Sequence, residues 1–278
     1  EEQGWESWYM VRGFDAALRM VRKYDLPRVV VLEPDLSLEQ EVREINRCVE
    51  SQDLAAVVFE ITERPLADYV GLSDRACKAC VHFHGPIPAG IGLVVNWDVE
   101  ALQRLAGMAP REAVLLTGPE QVLLPPEFDP AAAEARAHRL PPQRLLVAMG
   151  GADEVNTTLE VAKALARGKW DGEVRFVLGP GYQAGEELAR FLDGSGLRHA
   201  LLRDLPSLFP EYLACDAGIG AGGLTASELV ATGTPCVLLA PYEHQIPRCR
   251  YFASIGAATF LGESVPEGDA LAQALRTL

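Results

Sequence analysis

The sequence predicts an α/β protein built on parallel sheets, and three observations carry that reading. Short apolar runs alternate with longer amphipathic stretches along the chain. Glycine-rich turns follow several of the runs. A proline-rich stretch at 125–143 interrupts the pattern once and leaves a similar grammar on either side. Strands buried on both faces read as unbroken apolar runs, and the helices between them cover a doubly wound sheet.

Taken in order, residues 9–24 predict a helix, because Met10, Phe14, Ala17, Leu18 and Val21 recur at three- and four-residue spacing. Residues 28–32 predict a buried strand closed by Glu-Pro-Asp punctuation. Residues 37–50 predict an amphipathic helix opened by Ser37, a good N-cap. A buried strand at 54–59 follows, then a polar helical piece to about 77 and short strands at 80–83 and 93–95. The stretch 125–143 sets proline pairs around an Ala-rich helix, and it predicts the join between domains at 1–139 and 140–278. Beyond it, strands are expected at 144–149, 173–178, 200–203, 217–219 and 235–240. Helices are expected at about 155–167, 184–193, 206–215 and 226–232, and from about 268. The expected architecture is two Rossmann-like domains facing a cleft, with ligands outside the carboxyl ends of the strands.

Composition narrows the function classes. The chain has 278 residues, 49% hydrophobic and 23% charged, which is ordinary globular composition with enough length for two cores. Lys and Arg number 25 against 39 Asp and Glu, a net charge of −14. So acidic a chain is a poor partner for nucleic acid or an anionic membrane surface. It can still hold a small anion on backbone N–H groups. No apolar run approaches the ~18 residues of a membrane span. The acidic, polar start shows no secretory pattern, so a cytoplasmic location is expected. Six scattered cysteines do not make a disulfide framework. Cys77-Lys78-Ala79-Cys80 has metal-ligand spacing, but no second pair follows at zinc-finger distance, and no metal or cofactor is expected.

Three glycine-bearing or polar turns could carry chemistry. The first, 218–235, reads Gly-Ile-Gly-Ala-Gly-Gly-Leu-Thr-Ala-Ser-Glu-Leu-Val-Ala-Thr-Gly-Thr-Pro. Gly222 and Gly223 let backbone approach a ligand, and the helix opening at Leu224 and Thr225 aims N–H groups at it. Glu228, one turn in, can accept ribose hydroxyls; a dipole-complementing carboxylate in a plain βα turn is the alternative. The second turn is Tyr242-Glu243-His244-Gln245, at the end of a buried strand. The third is Gly150-Gly151-Ala152-Asp153, where Asp153 or Asn156 can cap the next helix.

These turns, with Leu123-Leu124-Pro125-Pro126-Glu127-Phe128, resemble the C-terminal nucleotide-sugar-binding domain of GT-B proteins. The order of motifs is similar to that of the pseudaminic-acid pathway UDP-sugar hydrolases and their spore-coat polysaccharide relatives. The resemblance implies a UDP-sugar ligand. Glu228 would hold the ribose, Gly222, Gly223, Leu224 and Thr225 the diphosphate, and Gly150 and Gly151 would border the nucleotide. The backbone at Leu202 would meet the uracil, and Glu243 and Gln245 would touch the sugar. Helix N-termini would neutralise the diphosphate without a metal.

The first half departs from that family. The hydrolases carry Gly-His-x-x-Arg at the start of the first helix; aligning on Arg12 puts Tyr9 at the histidine. An Asp followed two residues later by Tyr becomes Glu60 and Thr62, and an Asp pair becomes His84-Gly85. The family's first strand and its glycine loop have no counterpart before Glu1. Three readings follow: a UDP-sugar hydrolase with a relocated acid/base, for which Glu60, His84 and His244 are the candidates; a glycosyltransferase; and a non-catalytic UDP-sugar binder. The sequence leaves the oligomeric state open.

Overall fold

The structure is a computed structural model that describes residues 4–60, 65–82, 85–128 and 141–278. The chain divides into two compact units, Glu1–Asn96 with Leu102–Leu116, and Trp97–Ala101 with Thr117–Leu278. The join drawn at 139/140 and its Ala-rich helix fall on residues 129–140, outside the described residues.

Unit 1 holds two sheets. β1 (Tyr9–Arg12) pairs in parallel with β2 (Val29–Leu32). The second sheet runs in the order β3 (Ala56–Phe59), β4 (Cys77–Val81), β5 (Leu93–Asn96) and β6 (Val114–Thr117). Helices α1 (Asp15–Lys23), α2 (Leu38–Ser51) and α3 (Ala101–Leu105) lie between strands in the chain. Ser37 caps α2 through a capping box: its Oγ accepts from the Gln40 N–H, and Gln40 Oε1 accepts from the Ser37 N–H.

Three expectations are corrected here. The helix predicted from residue 9 starts only at Asp15, and a strand stands before it. Tyr, Met and Val extend readily, and the Tyr9 and Gly13 N–H groups go to the carbonyls of Arg28 and Leu32. The expected polar helix to 77 shortens, among the described residues, to one 3-10 turn at Leu66–Asp68. Gly71 then takes a positive φ of 85° that breaks any helix. The strand predicted at 80–83 begins at Cys77, in register with Ala56 of β3. Cys77 and Cys80 therefore share a strand at odd spacing and point to opposite faces, one exposed and one buried, so they cannot grip one ion together.

Unit 2 is a six-stranded sheet in which every pair is parallel. Its strands are β7 (Arg144–Ala148), β8 (Glu173–Leu178), β9 (Arg198–Arg203), β10 (Ala217–Ala221), β11 (Cys236–Leu239) and β12 (Thr259–Phe260). The spatial order β9-β8-β7-β10-β11-β12 is the 3-2-1-4-5-6 order of a dinucleotide-type Rossmann sheet. Side chains divide by the period of two. Leu145, Val147, Phe176 and Ile219 meet α4 (Thr157–Arg167), α5 (Gly185–Ser195) and α9 (Ala270–Arg276) on one face. Leu146, Cys236 and Leu238 meet α6 (Phe209–Ala214), α7 (Leu224–Ala231) and α8 (Ile246–Ser254) on the other. The doubly wound sheet read from the apolar runs is thus present, with β12 and α8 added to the predicted elements.

Gly218 and Gly220 set how close α7 lies to β10. A Cβ on Gly218 would stand 2.4 Å from Leu229 Cδ2, and one on Gly220 2.8 Å from Leu229 Cδ1. Overfilling such a contact costs about 1–3 kcal/mol. Gly218→Val is expected to lose about that much stability, read as a lower urea midpoint; an unchanged midpoint would mean that α7 is free to back away.

Candidate functional site

Because all six strands of unit 2 are parallel, their carboxyl ends share one edge. The strand order reverses between β7 and β10, where Ala148 pairs with Gly220. The chain leaves β7 for the α4 face and β10 for the α7 face, the switch point beside which open α/β sheets hold their ligands. The structure brings Gly150, Gly151, Gly222, Gly223, Leu224 and Thr225 to the ends of these two neighbouring strands.

The two turns differ electrostatically. After β7, Gly150 takes a φ of 95°, and the Gly151 carbonyl accepts from the Gly181 N–H at 2.8 Å. Asp153 is buried and caps α4: its carboxylate accepts from the Thr157 and Thr158 N–H groups at 2.8 Å each and from Thr158 Oγ1 at 2.6 Å. Asn156, the other predicted cap, makes no cap bond and instead accepts from Tyr182 at 2.5 Å. A carboxylate already neutralises the positive end of α4. At α7 the N-cap is Gly223 and no side chain caps the helix. A Cβ added to Gly223 would find nothing within 4 Å. The positive end of α7 therefore carries no side-chain cap, which favours an anion there.

Glu228 lies one turn into α7. Its Oε2 accepts from the Tyr212 hydroxyl at 2.7 Å, leaving Oε1 with no hydrogen bond among the described residues. Burial raises its pKa, with the Tyr212 bond opposing. The Tyr212 phenol is fully buried and pushed well above its usual range, so it stays protonated and donates. Phe128 packs edge-on against both Tyr212 and Phe209, with ring centroids 6.0 and 5.1 Å apart. The Leu-Leu-Pro-Pro-Glu-Phe motif thus ends in the residue that wedges Tyr212 in place. Thr232 Oγ1 bonds both the Glu228 carbonyl and Thr234 Oγ1, and Thr234 bonds the Tyr212 carbonyl. Sequence reasoning missed Tyr212; an aromatic donor in the helix before a glycine strand is a signal too general to single it out.

After β11, Glu243 and His244 are exposed while Gln245 is buried. The His244 ring stacks on Tyr242, with centroids 5.8 Å apart. The Tyr242 hydroxyl accepts from the Glu154 N–H at 3.2 Å, which ties this turn to the one after β7. Gly222 is pressed against the same segment: its Cβ would stand 2.5 Å from Cys249 Sγ and 2.8 Å from the Gln245 carbonyl. Leu202 is half-buried near the end of β9, in register with Val177 on the far side of β8 from β7. The catalytic candidates are not assembled within one unit. Glu60 is exposed at the end of β3 in unit 1, where it borders a cavity of about 430 Å³ with Arg12, Glu41 and Tyr69. Arg12 is paired to Glu41, which also accepts from the Tyr69 hydroxyl at 3.0 Å. His84 lies outside the described residues.

Two Rossmann-like α/β units, the second with a glycine turn and an uncapped helix at its switch point, define a protein of the GT-B fold class. The solved structures that resemble the chain have this fold. MurG from Acinetobacter baumannii aligns over 99% of this chain and 83% of its own, with a TM-score of 0.62 at 13% identity. UDP-GlcNAc 2-epimerase from Methanocaldococcus jannaschii aligns over 95% and 83%, with a TM-score of 0.59 at 13% identity. Arabidopsis thaliana UGT89C1, solved in complex with UDP, aligns over 99% and 84%, with a TM-score of 0.59 at 14% identity.

In sequence, the chain is 29% identical over 259 residues to the spore coat polysaccharide biosynthesis protein SpsG of Bacillus subtilis, covering 90% of this chain and 74% of that one. This bears out the resemblance read from the motifs. Over 160 residues it is 32% identical to the UDP-N-acetylglucosamine–N-acetylmuramyl-(pentapeptide) pyrophosphoryl-undecaprenol N-acetylglucosamine transferase of Alkalilimnicola ehrlichii, covering 54% of this chain and 43% of that protein. No family model matches the chain. Among the described residues, no helix is long and apolar enough to cross a membrane.

The bond between Tyr212 and Glu228 has a testable pH signature. A carboxyl pKa raised on folding adds stability below its unfolded value and loses it as pH rises through the folded one. Losing the donor worsens the charged form most. Tyr212→Phe is expected to cost roughly 1.5–3 kcal/mol at pH 7, where the hydroxyl faces a carboxylate, and about 1 kcal/mol near pH 4, where it faces a neutral acid. Urea unfolding at both pH values reads the difference; equal losses would mean that the hydroxyl does not serve the carboxylate.

Proposed function

We propose that the chain binds a UDP-sugar at the carboxyl edge of the unit 2 sheet and acts at its anomeric carbon, as a step in making a surface polysaccharide. The observation that carries this reading is the uncapped, glycine-opened N-terminus of α7 one turn ahead of a half-buried glutamate. The diphosphate would lie against Gly222, Gly223, Leu224 and Thr225, where backbone N–H groups and the dipole offset its charge. Glu228 would accept a ribose hydroxyl on Oε1, the backbone at Leu202 would meet the uracil, and Gly150 and Gly151 would border the nucleotide. Glu243 and Gln245 would reach the sugar.

Hydrolysis is the first form of this chemistry. A water oxygen bonds to C1 while the bond from C1 to the diphosphate oxygen breaks. UDP leaves with the electron pair, and the water's proton passes to a base drawn from Glu60, His84 and His244. Transfer is the second form, in which an acceptor hydroxyl replaces water; the 32% likeness to a murein transferase favours it.

Phosphorus NMR with a panel of UDP-N-acetyl sugars separates the readings. UDP appearing from donor alone supports hydrolysis. UDP appearing only when an acceptor is added supports transfer. Line broadening with no turnover supports a binder, and no change of any kind overturns the nucleotide site. Glu228→Ala is expected to weaken UDP binding at least about tenfold, because it removes a charge-assisted hydrogen bond to the ribose. Affinity equal to wild type would remove Glu228 from the site.

A further inference from the structure

Tyr212 is the largest fully buried side chain among the described residues, and it ends in a hydroxyl. A phenylalanine would fill the same space with no polar atom to satisfy, and burying a hydroxyl is unfavourable unless it is bonded. Here it is bonded to α7. It donates to Glu228 Oε2 at 2.7 Å, and the Thr225 side chain hydrogen-bonds it from the turn before. Thr225 and Glu228 stand at the i, i+3 spacing that sets side chains on one helix face. Thr225 is itself buried and turned toward the sheet, because a Cβ on Gly220 would stand 3.1 Å from its Cγ2. The Thr234 hydroxyl holds the Tyr212 carbonyl, and Phe128 leans on the ring.

This tether changes what the carboxylate offers. A free carboxylate meets a vicinal diol with both oxygens, one to each hydroxyl. In Glu228 the phenol occupies Oε2, and Oε1 has no bond among the described residues. Glu228 is half-buried, and Oε1 is not among the buried atoms left without a partner, so solvent reaches it. The tether also acts on charge. Burial favours the neutral acid, and the Tyr212 bond favours the carboxylate. The other groups facing the pair are neutral: the Thr225 hydroxyl, and the Cys236 thiol of β11, which burial pushes to about 12.

We infer that Tyr212 is the positioning residue of the nucleotide site: by tying down Glu228 Oε2 it presents Oε1 alone to the ribose, and so makes recognition depend on one of the two ribose hydroxyls. This rests on the reading that unit 2 binds a UDP-sugar. It adds to that reading a residue of α6 that is sealed from the ligand and acts only through Glu228.

Isothermal titration of the whole chain with UDP, 2'-deoxy-UDP and 3'-deoxy-UDP tests it, in wild type, Tyr212→Phe, Glu228→Gln and the double variant. In wild type, one deoxy analogue is expected to bind about tenfold more weakly than UDP and the other within about twofold of it, as the loss of one charge-assisted hydrogen bond predicts. Tyr212→Phe frees Oε2 for the second hydroxyl, so the two analogues are expected to draw level with each other. The preference for UDP over the weaker analogue is expected to fade on acidification, as Glu228 takes up a proton, and to fade at a higher pH in Tyr212→Phe, where the carboxylate has lost its donor. Taking the ratio cancels the titration of the phosphates. In the Glu228→Gln background, Tyr212→Phe is expected to change the discrimination by less than about twofold, because its effect runs through the carboxylate. Equal losses for the two analogues in wild type would overturn the inference, whether or not Tyr212→Phe folds. Discrimination and pH profile unchanged in a folded Tyr212→Phe would overturn it in favour of a purely structural tyrosine. Both analogues binding wild type as tightly as UDP would remove Glu228 from the ribose. Failure of wild type to bind UDP at all would overturn the nucleotide site itself, and this inference with it.

Discussion

Between β7 and β10 the six-stranded sheet changes the direction in which it is wound, and the rest of unit 2 is arranged around that reversal. Crossovers on either side carry their helices to opposite faces, so these two adjacent strand ends are not roofed by a shared connection. Everything proposed for ligand binding gathers at that edge: two glycine turns, the segment after β11, and the helix carrying Glu228. The reversal also explains why the two cores are separate. Each face of the sheet has its own helices, and the β-strand period assigns alternate side chains to each.

Two turns of similar sequence treat the positive ends of their helices in opposite ways. Asp153 fills the positive end of α4 with its own carboxylate, whereas Gly223 leaves that of α7 unfilled. An acidic chain can accommodate an anionic ligand in this way, because backbone dipoles act at contact range while the net charge of −14 is spread over the surface and screened within about 8–10 Å. Glu228 sits near the unfilled end without blocking it, since Tyr212 draws one of its oxygens toward the interior of the sheet's α6 face.

Much of unit 2 was legible because its strands are central and parallel, so 144–149, 173–178 and 235–240 stand out as unbroken apolar runs. Ser37 and Asp153 were legible as caps because capping is local. What depends on distant pairing was not. Met10 and Phe14 satisfy a helical period, but the ladder to Val29–Leu32 decides for a strand, and that partner is invisible to a local window. Tyr212 became a site residue only when the strand β10 brought it back over Glu228. Arg248 is buried on α8 and donates to Asp98, 150 residues earlier in the chain, a pairing that no local window contains. Glu60 and His244 stand in different units, and neither segment's local pattern refers to the other.

The distribution of thiols has a practical consequence. Cys80, Cys236 and Cys249 are buried, and burial pushes them to about 11, 12 and 11. Cys215 is buried too, and the half-buried Cys48 is also shifted upward. Alkylating reagents need a reachable thiolate. Cys77, exposed on β4, is the one that meets a maleimide on even terms with solvent. The native chain thus carries a ready attachment point for a single fluorophore or spin label in unit 1. Attaching it needs no cysteine removed from unit 2.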